Sequence, residues 1–395
     1  MLSKFIIFIN SFYINNYFIF KFYNFKFKKL EYSFNFHNEN FENEIDIKKI
    51  LFTKKNLKNK NYDEKNISYY NFHWLNVAKK IGGSEIILLS KKHIINWYQQ
   101  NKKIYTFIWN EQIVAKRLIN LIYNYDFYAV SATEEEKKII KSIIIRHYLK
   151  LKSYLILKKN NSFLSIETCK ALLLFHLINN LKNERLLVLI YFQIESQIDE
   201  NGMHKSINPC FHAEFINHLY EIKNMLLFFN INETDKIEKS IISMISVLKN
   251  LFHKDKTISL FNGSNNSNIT QIKNINKLYK DLKTKNMTNI NNGLAIFESK
   301  NLKIFFDVAK PTNKLLSQNL HAGTLSFELS YDGEKIITNC GSIEKRIGKR
   351  PEFLRYSAAH STIILNNTNI SELVAKRSYK RAPKKISMTN NETNE

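Results

Sequence analysis

Four of the eleven histidines stand where local structure can hold an imidazole from both sides. His321 precedes GTLSFELS, in which Gly323, Leu325, Phe327 and Leu329 alternate with Thr324, Ser326, Glu328 and Ser330. That is the period-2 pattern of a half-buried strand, and His321 falls in phase with the apolar positions, the face expected to be buried. His360 opens a second β-branched run, HSTIIL, closed by the turn-forming NNTN. His204 and His212 flank a turn, NGMHKSINPCFH, between two segments of helical periodicity. An imidazole changes charge near neutrality and is both an acid–base group and a zinc ligand, so these four are the candidates for proton transfer or metal binding. Each has a plainer alternative: His204 and His212 as capping or solvated loop groups, His321 and His360 as structural histidines bonded between packed strands.

The elements that must position them change character along the chain. From about residue 90 to 255 apolar residues recur at helical spacing, in runs such as EQIVAKRLINLIYNYDF, SIETCKALLLFHLINNL and FHAEFINHLYEIKNMLLFF, with short connections between them. This predicts a serial array of antiparallel helical hairpins. Ser131 to Glu134 reads as a capping box, Ser165 as an N-cap, and Asn232 to Asp235 offers N-cap side chains. After His253 comes the turn-rich LFNGSNNSNITQ, then a connector rich in lysine and asparagine. From Gly293 the pattern becomes strands: GLAIFES, LKIFFDVA, GTLSFELS, KIITNC and STIILN, with Asp332-Gly333 as a hairpin turn. Helices first and strands second predicts an α part followed by an antiparallel β part. The expected division is 1–67, an aromatic and lysine-rich segment; 68–255, helical; 256–292, linker; and 293–395, a β-sheet domain that ends early.

Composition narrows the partners. Lys+Arg of 59 against Asp+Glu of 35 leaves a net charge of +24, suited to an anionic polymer. No stripe alternates basic and aromatic residues in a recognisable module, so nucleic acid is not the expected partner. Cys169, Cys210 and Cys340 are odd in number and widely spaced, which excludes a disulfide framework and a CxxC metal motif and predicts small buried residues. In the first twenty residues Asn10, Ser11, Asn15 and Asn16 interrupt the apolar run, so no membrane span of about 20 apolar residues is expected there.

The motifs HAGTLSFELSYDGEKIITNCGS and RYSAAHSTIILNNTNISE, with FHWLNVAKKIGG, RLINLIYNYDF, ESQIDENGMHKSINPCFHAEFINHL and LFNGSNNSN upstream, resemble the heparinase II/III-like polysaccharide lyases. The resemblance implies an (α/α) toroid followed by an antiparallel β-sandwich-type domain. It also implies β-elimination cleavage of an acidic, uronate-containing polysaccharide and a place in the periplasm or cell envelope. Such proteins are longer, so part of the β domain is expected to lie beyond residue 395.

By the same resemblance His212 and His204 are the catalytic candidates, and Asn71, His73, Trp74 and Arg355 the substrate-binding ones. Trp74 reads equally as core, and Glu328 or Glu352 as alternative partners of Arg355. His321 and His360 match two zinc ligands, with Asn339 where the family has an aspartate; zinc is the cofactor the resemblance admits. Three role positions carry other residues: Phe163 and Leu164 replace an Asn-His pair, Phe211 replaces the acid–base tyrosine, and Asn319 replaces a histidine. Phenylalanine transfers no proton. The alternative function is therefore a non-catalytic relative that binds acidic glycan.

Overall fold

The computed structural model describes residues 67–102, 107–157, 165–265, 279, 282, 293–309, 320–342, 352–374, 379–384 and 386. The N-terminal aromatic segment, most of the expected linker, and Phe163, Leu164 and Asn319 lie outside the described residues. The chain divides into two compact units, Met1–Ile190 and Tyr191–Glu395.

The first unit is helical among its described residues: α1 Ile67–Tyr70, α2 Trp74–Ile81, α3 Ser84–Gln100, α4 Glu111–Tyr123, α5 Tyr125–Tyr128, α6 Glu134–Leu157, α7 Ile166–Ile178 and the start of α8, Glu184–Gln197. The boundaries follow the side chains that satisfy first-turn amides. Asn110 accepts from Ile113 N at 2.9 Å, and Ser165 accepts from Thr168 N at 3.2 Å, as expected. The expected capping box sits two residues further on. Thr133 Oγ1 accepts from Glu136 N, and Glu136 Oε2 accepts from Thr133 N at 2.9 Å. Glu136 is fixed there because Lys91 also bonds it, at 2.7 Å.

Helix α4 packs against α6 and α7, and Arg117 on α4 is fully buried at the centre of this unit. Its Nε donates to His147 Nε2 at 2.7 Å, and its terminal nitrogens donate to the carbonyls of Tyr70 at 2.7 Å and Ile108 at 3.1 Å. The guanidinium lies 4.3 Å from the Trp97 ring and 5.0 Å from that of Trp109. A planar cation with several donors satisfies carbonyls and aromatic faces at once, which a lysine cannot do.

The second unit adds α9, Pro209–Phe228, and α10, Asp235–Asn250, which pack together. Its strands are β1 Leu294–Glu298, β2 Leu302–Asp307, β3 Phe327–Tyr331 and β4 Glu334–Ile337, one antiparallel sheet in that order, with β5 Glu372–Leu373 and β6 Tyr379–Arg381 as a separate pair. Asp332 (φ 49°) and Gly333 (φ 89°) make the expected β3–β4 turn.

Two expectations about this sheet are overturned. HSTIIL is not a ladder strand: Ser357–Ala359 is a 3-10 turn, Ser361 and Thr362 are bends, and the irregular stretch after them is closed by an isolated Leu365–Thr368 bridge. Its hydroxyls tie the segment sideways, Ser361 Oγ to Phe327 and Thr362 Oγ1 to Thr324 O. Second, β3 is packed with its polar face inward. Glu328 and Ser330 are buried while Phe327 and Leu329 are half-exposed, and on β2 Lys303, Phe305 and Asp307 are buried while Leu302, Ile304 and Phe306 are half-exposed.

The physical reason for the inversion is a dedicated polar partner. His253, just after α10, places Nε2 2.9 Å from Glu328 Oε2 and Nδ1 3.0 Å from Ser330 Oγ, and its ring packs 4.8 Å from that of Phe305. Glu328 also accepts from Leu260 N at 3.2 Å, Asn339 N at 3.0 Å and Thr338 Oγ1 at 3.2 Å. A carboxylate so enclosed is tolerable only because its lone pairs are used.

Candidate functional site

His321 and His360 are brought together from segments 39 positions apart: His321 Nδ1 lies 3.2 Å from His360 Nε2. His360 Nδ1 lies 3.1 Å from Asn339 Oδ1, which also accepts from Ser361 N at 3.4 Å. A proton on His360 Nδ1, donated to Asn339, leaves Nε2 to accept from His321. The three side chains thus form a relay. Gly323 makes room for it, since a Cβ there would lie 3.1 Å from His360 Cγ. Burial pushes the His360 imidazole down to about 4, partly offset by a bond to the Leu354 backbone and by the charge of Glu328. At neutral pH it is therefore uncharged.

The same geometry tests the zinc reading. A spacing of 3.2 Å suits two nitrogens each about 2.0–2.1 Å from one ion. Asn339, however, is engaged by the other nitrogen of His360 and so orients the ring from behind. Among the described residues no His, Cys, Asp or Glu ligand atom joins the pair. Cys340, next to Asn339, is exposed rather than buried. Among the described residues, two imidazoles fall short of the three or four protein ligands of a zinc site.

His204, in the turn before α9, and His212, in the first turn of α9, lie together, and both are fully buried. His212 Nδ1 accepts from His204 N at 3.1 Å, so its Nε2 donates to Met244 O at 2.8 Å. His204 bonds Ser206 Oγ at 2.8 Å and Gln197 Oε1 at 3.2 Å. Burial lowers His204 to about 3 and His212 to about 4, with the His212 and Lys205 charges adding to the effect on His204. Both rings serve the turn, which Gly202 (φ 89°) opens and Asn208 closes by accepting from Phe211 N at 2.8 Å. The half-buried Phe211 ring stacks edge-on against His204, with centroids 4.8 Å apart.

In the first unit, Asn71, His73 and Trp74 meet an amide ladder. Asn71 O accepts from Asn120 Nδ2 at 2.9 Å, Asn71 Oδ1 accepts from His73 N at 2.9 Å, and Asn76 and Asn124 extend the chain. Trp74 is fully buried against Phe72 and His93, so of the three only His73 is part-exposed. Arg355 is buried, its Nε donating to Leu320 O at 3.1 Å. The residues that sequence reasoning missed are His253 and Glu328, for which no local signal exists because they are 75 positions apart.

Residues 289–395 match the family described as heparinase II/III-like, C-terminal. No curated protein sequence is significantly similar to the chain. Among solved structures, heparinase III aligns with a TM-score of 0.60 at 15% identity, over 80% of this chain and 56% of its own. The heparan sulfate lyase HepC from Pedobacter heparinus aligns with a TM-score of 0.52 at 15% identity, over 76% of this chain and 54% of its own. The chain thus spans little more than half the length of these proteins. A helical part followed by antiparallel sheets is the fold shared with these structures, and residues 289–395 match the heparinase II/III-like C-terminal domain.

Proposed function

We propose that this protein acts on an acidic, uronate-containing polysaccharide by lyase-type β-elimination. The observation that supports the reading best is the His321–His360–Asn339 relay inside a heparinase II/III-like C-terminal domain. In such a reaction a base removes the proton on the carbon bearing the carboxylate. The electron pair forms a carbon–carbon double bond, the glycosidic oxygen departs, and a proton is returned to it. The paired imidazoles of His321 and His360 are the candidate base for the first step, and the net charge of +24 favours an anionic polymer. Among the described residues no helix is long and apolar enough to cross a membrane.

A second reading, binding without cleavage, is favoured by one specific observation: Phe211 stands where the resemblance puts a proton-transferring tyrosine, beside two histidines that are wholly enclosed. One experiment separates the two. The protein is incubated with heparan-type and alginate-type polymers while ultraviolet absorbance follows the unsaturated product and a parallel sample measures binding against salt. Absorbance that rises, and is lost in His321→Ala and His360→Ala, supports elimination. Salt-sensitive binding with no absorbance selects the second reading. Neither signal refutes both.

A further inference from the structure

Buried cations of the helical unit find acceptors for their donors. Lys91 bonds Glu136 at 2.7 Å, and Arg117 commits Nε and both terminal nitrogens to His147 and two carbonyls. Arg146 on α6 departs from this. It is 8% exposed, its terminal nitrogens donate to Tyr98 Oη and Lys102 O at 2.8 Å each, and its buried Nε has no partner. Two of the five N–H groups of the guanidinium are thereby used. Among the described residues no carboxylate pairs with Arg146, and the sequence that follows Lys102, KIYT, contains none. The surroundings are positive as well. Burial holds the neighbouring His147 well below its ordinary value, and the charges of Arg117 and Arg146 add to the effect. Lys150 stands four residues on, on the same side of the helix, with its ammonium 5.0 Å from the Tyr154 ring. The Arg146 guanidinium lies 5.5 Å from the Tyr98 ring and 6.0 Å from that of Trp109. Aromatic rings meet the flat of a guanidinium and leave its edge unmet.

We propose that Arg146 is a binding site for a small oxyanion, a carboxylate or sulfate group, taken on the Nε edge of its guanidinium with the Lys150 ammonium at the rim. Both groups present paired oxygens that match the parallel N–H groups of that edge. A buried charge without a counter-ion is costly to the fold, and an arriving anion relieves the cost. The Tyr98 hydroxyl and the Lys102 carbonyl hold the terminal nitrogens, so the fork is oriented before the ligand comes. Lys102 is exposed and Tyr98 and Lys150 are half-buried, which makes theirs the side of approach. The site lies wholly within the helical unit and stands whether or not the elimination reading holds.

The test is titration of the full chain with sodium sulfate, acetate and glucuronate in separate arms. Ionic strength is kept at about 0.15 M, so that the net charge of +24 gives a fixed background. Binding is followed by calorimetry and by the Arg146 Nε–H resonance in arginine-labelled protein. The expected result is saturable binding that Arg146→Lys weakens at least ~10-fold, because lysine keeps the charge and loses the fork. Lys150→Gln, at a half-buried position, should weaken it about 3-fold. Lys239→Gln, exposed on the other unit, removes the same charge and should leave binding unchanged. Circular dichroism checks that each variant keeps its fold. Glucuronate held more tightly than acetate assigns the anion to a sugar, equal affinity assigns it to a free oxyanion, and either supports the site. No saturable binding in any arm, or binding that neither Arg146→Lys nor Lys150→Gln weakens, overturns the proposal.

Discussion

Glu328→Ala is the sharpest perturbation of the inverted strand. Glu328 is wholly buried and accepts from His253 Nε2, Leu260 N, Asn339 N and Thr338 Oγ1. Alanine removes every one of these acceptors. Each buried donor left without a partner costs about 1–3 kcal/mol, and four donors lose theirs. These costs overlap, and about 4 kcal/mol is expected. Glu328→Gln keeps one carbonyl oxygen of the same reach and should cost about 1–2 kcal/mol. Because the chain has two units, a global midpoint mixes their unfolding, so hydrogen exchange of peptides covering Leu260, Asn339 and β3 is the suitable readout, with urea titration beside it. Peptides from α4 and α6 should not respond. A cost below about 1 kcal/mol, with the Leu260 and Asn339 amides still protected, would show that the polar face does not hold the sheet.

Three further outcomes follow from the geometry. Arg117→Leu should destabilise the first unit by about 3–5 kcal/mol in thermal unfolding, since it strips two carbonyls and His147 of their donor; Arg117→Lys should restore little of it, and full rescue by lysine would refute the planar-stacking argument. Gly202→Ala should cost about 2 kcal/mol or more, because φ is 89° and the new Cβ would meet the Ser243 backbone at 2.8 Å; a neutral result by urea unfolding would contradict the close approach. The third concerns pH. His204 and His212, held down to about 3 and about 4, contribute stability that is fully present above their ordinary value of 6.5 and is lost as pH falls towards 4. Asp307, raised to about 7 by burial, has the opposite sign: its contribution is present below the ordinary carboxylate range and lost as pH rises through 7. With His360, also held down to about 4, three imidazoles outweigh one carboxyl, so the second unit should weaken on acidification from pH 6.5 to 4. Asp307→Asn should steepen that fall, and a flat profile would refute the assignment.

The helices were legible in the sequence because their signals are local. Apolar spacing and caps such as Ser165 act within one turn of the chain, and α6, α7 and α8 lie where the periodicity puts them. The Asp332-Gly333 hairpin was legible for the same reason, a backbone requirement met by two adjacent residues. The near approach of His321 and His360 was readable only through motif resemblance, since no local rule joins positions 39 apart. What the sequence by itself determined, then, is the order of elements and the period within each. The tertiary structure alone decided which face of a strand turns inward. Alternation marks two faces without saying which one meets a partner. Here His253 supplies a partner for Glu328 and Ser330, so the polar face is the buried one. His204 and His212 illustrate the same limit: their residue type permits proton transfer, but only the packing of the turn on α10 encloses both rings and keeps them neutral.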